Sequence, residues 1–389
     1  MPSSKPSPVE RNPGIDLLRG IAILLVVLHH LGLRIPLKKT ALADVLPTRL
    51  LSALNFNGYE AVFVFFVISG FLIAGNAIRR WGALERIDLR DFYARRFARI
   101  MPCLLALVGV LSLLHLLGAQ DYVIGREGQS LPRAIIAALG LHLNWYEGQT
   151  GYLPGNWDVL WSLSIEEMFY LGFPLACLLL RRDALMALLL CAFAMALPWL
   201  LASLDDASEI WKEKAYLPGM SAIGTGVLGA LAVAHWRAPR WATRTLGIAG
   251  AIGLFAVFIG MPWWWPLLQD GVMLLLTFST LCVLLACRQR EAAGGARPLS
   301  GFGWLRRWGQ LSYEIYLTHM FVVYGAVRLF RASGGDISHG WLWYLPAVLL
   351  CWLLGATVER YLSAPCERWL RARLQPAQPV PTIAVAAAE

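Results

Sequence analysis

Ten stretches of mostly apolar residues recur along this chain, beginning near Ile15, Gly58, Ala98, Asp158, Ala184, Pro218, Thr245, Pro266, Trp308 and Trp341. Each is close to the ~20 residues that an α-helix needs to cross the hydrocarbon core of a bilayer. That repetition makes the chain an all-α integral membrane protein with about ten transmembrane helices. Composition agrees: 58% of the residues are hydrophobic and only 15% charged, far from the balance of a soluble domain. An eleventh apolar run, Ala134 to Trp145, is too short to span and reads as one short re-entrant or interfacial segment. Tryptophans cluster near expected helix ends, as in Met261–Pro266 (MPWWWP) and Trp341–Pro346 (WLWYLP), where aromatic belts meet the bilayer interface.

The basic residues test the topology. With ten spans and a cytoplasmic N-terminus, 24 of the 34 Lys and Arg residues fall in cytoplasmic segments, including seven arginines between Arg79 and Arg99. This asymmetry is the positive-inside rule, and it places the C-terminus in the cytoplasm too. The net charge of +9 is therefore explained by orientation in a membrane, without nucleic acid as a partner. Residues 1–14 read as a disordered cytoplasmic tail, 15–374 as the transmembrane domain and 375–389, rich in Pro and Ala, as a second disordered cytoplasmic tail. The first apolar run is long and lacks an A-x-A cleavage pattern, so it reads as a retained helix. The seven cysteines form no CxxC pair and read as reduced packing residues.

Ionisable groups inside spans are costly and usually mark a pathway or a reaction centre. Asp16–His30 (DLLRGIAILLVVLHH) puts Arg19 at the inner surface. His30 lies eleven residues on, roughly 16 Å deeper at ~1.5 Å per residue and close to three turns away, which aligns it with Arg19 better than His29. By the same measure Glu166 and Glu167 lie ~12 to 14 Å from the opposite surface, and His319 lies ~16 Å from the inner one. Taken singly, each is most simply a satisfied interior polar residue. Taken together, two histidines and a glutamate at one level mark a water-accessible site at mid-membrane.

At the mouth of the third span, Arg96 and Arg99 stand three residues apart on one helix face. Guanidinium forks suit phosphate, which they grip in pairs of bonds while staying charged. A cytosolic phosphorylated ligand, coenzyme A or a nucleotide, follows as the expectation, with anionic lipid headgroups as the competitor. There is no G-x-x-x-x-G-K-[ST] or G-x-G-x-x-G motif, and no local ligand spacing such as H-E-x-x-H, so no metal is expected. Glycines in Ser221–Ala230 and Gly247–Gly253 read as helix-packing positions.

Six blocks in order resemble the acyltransferase-3 family of integral membrane O-acyltransferases: DLLRGIAILLVVLHH with Arg19 and His30, FFVISGFLI (Phe65–Ile73), FYARRFARIMP with Arg96 and Arg99, WSLSIEEMFYL with Glu166, LSYEIYLTH with His319, and ERYLSAP (Glu359–Pro365). One departure is visible: members often carry an acidic residue just before the Phe-Phe pair, where this chain has Phe63, with Glu60 a turn earlier. The resemblance implies ten spans and a donor substrate of acetyl-CoA or another acyl-CoA. It also implies transfer of a small acyl group to a hydroxyl of a glycan or glycolipid acceptor, in the plasma (inner) membrane of a bacterium.

In that scheme His30 is the general base, because a desolvated imidazole favours the neutral form a base needs. Glu166 orients or charge-balances an imidazole, and His319 supports the cavity or a second proton step. Arg96 and Arg99 hold the donor's phosphates, with Arg19 bridging donor and helix. Partners would be membrane lipids and the envelope-polysaccharide assembly proteins. The main competitor is a proton-coupled transporter, which also uses mid-membrane His and Glu; a scaffold for envelope assembly is the third reading.

Overall fold

A computed structural model describes residues 11–295 and 300–374. Of the expected tails at 1–14 and 375–389, residues 1–10 and 375–389 lie outside the described residues, while Asn12 and Pro13 already open the first helix. Among these residues the regular structure is entirely helical. The principal helices are α1 (Pro13–Gly32), α2 (Gly58–Trp81), α3 (Leu89–Leu116), α4 (Trp161–Leu180), α5 (Asp183–Met195), α6 (Tyr216–His235), α7 (Arg240–Leu268), α8 (Gly271–Ala292), α9 (Ser312–Ala332) and α10 (Tyr344–Val358).

Eight helices among the described residues are long and apolar enough to cross a membrane. The remaining two of the ten expected spans form helices but miss those criteria. α5 has only 13 residues. α9, with 21, carries Glu314, His319, Arg328 and Arg331 and is too polar to qualify on composition. The start expected at Pro266 is also displaced: α7 continues to Leu268, and the chain reverses at Gln269, whose φ is 43°. Trp263, Trp264 and Trp265 are half-exposed at that end of α7, as an interfacial belt requires. The Ala134–Trp145 run becomes two short helices, Leu131–Leu139 and Leu143–Thr150, broken where Leu141 takes a φ of 60°.

Local sequence sets the start of α1. Asn12 caps it, accepting from the Gly14 and Ile15 N–H groups, and Pro13 occupies the first turn, where its missing donor costs nothing. The same Asn12 amide donates to the Cys287 carbonyl at 3.0 Å and to Glu291 at 2.7 Å, tying α1 to the end of α8.

Small residues let the central helices meet closely. A Cβ on Gly70 would stand 1.9 Å from the Ile223 carbonyl oxygen, and one on Gly226 would stand 2.0 Å from that of Val67. The α2–α6 crossing therefore requires glycine on both sides. Gly253 likewise faces Ser279 across α7 and α8, so both glycine-rich stretches pack as expected. After α10 the helix widens into a π-turn over Glu359–Ser363, within the ERYLSAP block.

Candidate active site

A cavity of about 1750 Å³ lies at the arginine-rich end of the bundle. Its wall includes Arg11, Arg19, Arg79, Arg96, Arg99 and Arg371, and arginines outnumber carboxylates around it ten to five. It is larger than the roughly 300–1,000 Å³ of ordinary small-molecule pockets and is biased toward anions.

The arginines divide by what they touch. Arg19 donates from Nη2 to Ser312 Oγ at 2.7 Å and has no carboxylate partner among the described residues. Arg99 pairs with Glu367 at 3.2 Å and lies over the Tyr313 ring. Arg96, expected to present a free fork to phosphate, is committed to carboxylates on the facing helix α4. It donates from Nε and Nη2 to Glu167 at 3.0 and 2.8 Å and from Nη2 to Glu166 at 2.9 Å, with its guanidinium 3.8 Å above the Tyr170 ring. Two carboxylates at this depth demand a compensating cation, and Arg96 is the one within reach.

Glu166 also accepts from the hydroxyls of Ser69 and Tyr170. No hydrogen bond joins it to either imidazole among the described residues; of the two roles expected of it, orienting or charge-balancing an imidazole, the first has no direct contact behind it. Ser69 and Tyr170 were missed as partners, although both lie within the Phe65–Ile73 and WSLSIEEMFYL blocks.

His30 and His319 do meet: their ring centroids lie 5.0 Å apart at an interplanar angle of 44°. His319 is fully buried. Its Nδ1 donates to the Tyr316 carbonyl at 2.7 Å, and because a carbonyl can only accept, that nitrogen carries the proton. Nε2 is then an acceptor, and it has no hydrogen-bond partner. His29 faces elsewhere, with Nδ1 on the Asn55 carbonyl at 3.0 Å. The three-turn spacing of Arg19 and His30 thus places both against α9, one at Ser312 and the other at His319. Arg34 folds back at the end of α1, donating to the His30 carbonyl at 2.9 Å and lying over the Tyr324 ring.

Two further buried groups had no clear signal in sequence. Glu314 accepts from Ser363 on the π-turn at 2.7 Å, while its other oxygen is unpartnered. At the end of the bundle away from the arginine cavity, buried Lys214 pairs with Glu147 at 2.8 Å and with Asp158, and lies over the Tyr152 ring. Burial pushes the Glu147 carboxyl well above the usual carboxylate range; Asp158 adds to the rise and Lys214 opposes it. No cluster of three or more His, Cys, Asp or Glu side chains suited to a metal occurs among the described residues.

These features define an all-α integral membrane protein with a deep basic cavity at one end and, beyond it, a pair of histidines of which His319 is fully buried and His30 partly so. The chain belongs to the acyltransferase-3 family: the family model, described as an acyltransferase domain, matches residues 12–358. It is similar to the peptidoglycan O-acetyltransferase OatA of Listeria monocytogenes, 27% identical over 341 residues that cover 79% of this chain and 48% of that protein. It is also similar to the O-acetyltransferase OatA of Staphylococcus aureus, 32% identical over 174 residues covering 42% of this chain and 24% of that protein. The chain thus spans about half or less of the length of these relatives. No solved structure matches it.

Proposed function

We propose that the protein is a bacterial inner-membrane O-acyltransferase that moves an acetyl or similarly small acyl group from cytosolic acyl-CoA to a hydroxyl of a surface glycan or glycolipid. The observation that carries this reading is the arginine-walled cavity at one end of the bundle, with the His30–His319 pair just beyond its inner wall. The family and the chain's likeness to two O-acetyltransferases support O-acetyl transfer, and the one that acts on peptidoglycan supports a glycan acceptor.

In this reading the arginine-rich end faces the cytosol, and Arg19 and Arg99 take the donor's phosphates. Arg96 contributes indirectly, by fixing Glu166 and Glu167. The acceptor hydroxyl gives its proton to His30 as its oxygen attacks the thioester carbonyl. The C–S bond breaks, the ester forms, and the proton passes to the departing thiolate. The free Nε2 of His319 faces that exchange and can hold the proton between steps. Membrane lipids and envelope-polysaccharide assembly proteins are the expected neighbours.

The test compares ester-linked acyl groups on surface glycans and lipids, by NMR and mass spectrometry, from a deletion strain complemented with wild type or His30→Ala at matched membrane levels. An ester lost on deletion, restored by wild type and absent with His30→Ala is the expected result. Substrate flux without release of free CoA thiol from purified protein would instead favour a proton-coupled transporter.

A further inference from the structure

Tyr316 lines the cavity on one side and packs against the His319 ring on the other. The wall includes Val62, Phe66, Ser162, Leu163, Tyr316 and Leu317, and neither His30 nor His319 lines the cavity. Tyr316 stands at the boundary on three counts. Its ring centroid is 5.9 Å from that of His319. Its backbone carbonyl receives the His319 Nδ1–H at 2.7 Å. Its hydroxyl crosses to the facing segment, reaching the Val159 carbonyl at 2.9 Å and Ser162 Oγ at 2.7 Å.

Proton bookkeeping fixes the sense of those last two bonds. A carbonyl only accepts, so the phenol donates to Val159 and accepts from the Ser162 hydroxyl. The ring is therefore latched at its tip by two bonds and anchored at its base by α9. A phenylalanine would fill the same space, so the hydroxyl's contribution is the latch rather than the packing.

We propose that Tyr316 is a positioning residue whose latched ring closes the passage between the donor cavity and the His30–His319 pair, and that acyl transfer requires the ring to swing aside. The proposal rests on the reading of the cavity as the donor site. Closed, the ring keeps water in the cavity away from the imidazoles while the thioester is bound, and open it lets the acyl carbonyl reach them. The device protects a reactive donor from hydrolysis until an acceptor is present.

The experiment uses the full-length protein in proteoliposomes supplied with acetyl-CoA and no glycan, with free thiol release followed over time. Water is then the only acceptor: its oxygen adds to the thioester carbonyl and its proton goes to the imidazole. The C–S bond breaks, the thiolate takes up the proton, and acetic acid and free thiol result. Ser162→Ala removes one bond of the latch and Tyr316→Phe both. At the usual net worth of a hydrogen bond, release should rise about 5-fold in Ser162→Ala and up to about 30-fold in Tyr316→Phe. Adding His30→Ala should return both to background.

A variant weakened only in folding would lose release, whereas an opened passage gains it. Wild-type or slower release in both variants, with acetyl-CoA binding retained, overturns the proposal, and so does a gain that survives His30→Ala. If the wild type neither binds acetyl-CoA nor releases thiol, the donor reading itself fails and the partition falls with it.

Discussion

Replacing Arg96 with methionine keeps most of the side chain's length and apolar contact but removes its charge, and the structure sets what that loss should cost. The guanidinium serves Glu167 through two bonds at 3.0 and 2.8 Å and Glu166 through one at 2.9 Å. Its side chain and those of Glu166 and Glu167 are 22%, 24% and 12% exposed, so the group is shielded but not sealed. Removing one partner of a fully buried pair costs about 3–5 kcal/mol, and partial exposure puts this case near the lower end, about 3 kcal/mol. The lost stacking on Tyr170 adds about 0.5–1 kcal/mol.

Arg96→Lys keeps the charge but cannot span both carboxylates with one planar fork, and should cost about half as much. Neutralising the acids at the same time, as Arg96→Met with Glu166→Gln and Glu167→Gln, should recover most of the loss, because no uncompensated charge remains. Equilibrium unfolding in mixed micelles, followed by tryptophan fluorescence, gives each value and the coupling between sites. A cost below about 1 kcal/mol for Arg96→Met, with no recovery in the triple variant, would refute the account of Arg96 as the counter-ion of the two glutamates and return it to the phosphate site.

Four further outcomes follow from other parts of the molecule. Arg19→Met should raise the KM for acetyl-CoA roughly 10-fold or more with kcat little changed, since a guanidinium without a carboxylate partner is free to bind phosphate; steady-state thiol release measures it. His319→Gln should lower kcat about 100-fold at unchanged donor affinity if its free Nε2 holds the proton, and isothermal titration with acetyl-CoA separates the two effects. Gly226→Ala forces a Cβ to within 2.0 Å of the Val67 carbonyl and should cost about 1–3 kcal/mol or more in the same unfolding assay. A carboxyl raised in the folded state binds protons that the unfolded chain releases. Glu147 should therefore lower stability progressively as pH rises from its ordinary value of 4.5 toward its raised folded value, and Glu147→Gln should flatten that slope in melts between pH 5 and 8.

The membrane class was legible because solvation by lipid imposes a length and a composition on each helix, and both are written locally. The meeting of His30 and His319 was legible for a related reason: depth in a bilayer can be counted in residues from each surface. What depth cannot supply is azimuth. Arg96 and Glu166 are 70 residues apart, and their pairing depends on which faces α3 and α4 turn to each other. Their presence in one membrane was a hint, since carboxylates at that depth need cations, but guanidinium chemistry alone pointed to phosphate.

Lys214 was invisible for a further reason. It ends the short helix Glu209–Lys214, which reads as a polar surface segment until the fold buries it beside Glu147. α9 was found despite being too polar to qualify as a span, because one of the residues that lower its apolarity, His319, is also the one that marked it.

Arg19 and His30 ride on one uninterrupted helix, capped firmly at its start and carrying no proline between them. Their separation along the axis, ~16 Å, cannot stretch or shorten without melting α1. Under the function proposed above, the protein would act as a caliper, with one jaw grasping charge and the other performing chemistry, gauging a donor by the length of arm between its anionic head and its reactive carbonyl. Carriers with the right acyl group on a shorter arm leave the carbonyl short of His30, and those on a stiffer or longer arm overshoot it. Under that proposal, discrimination among acyl donors would begin with reach, before any contact with the acyl group itself.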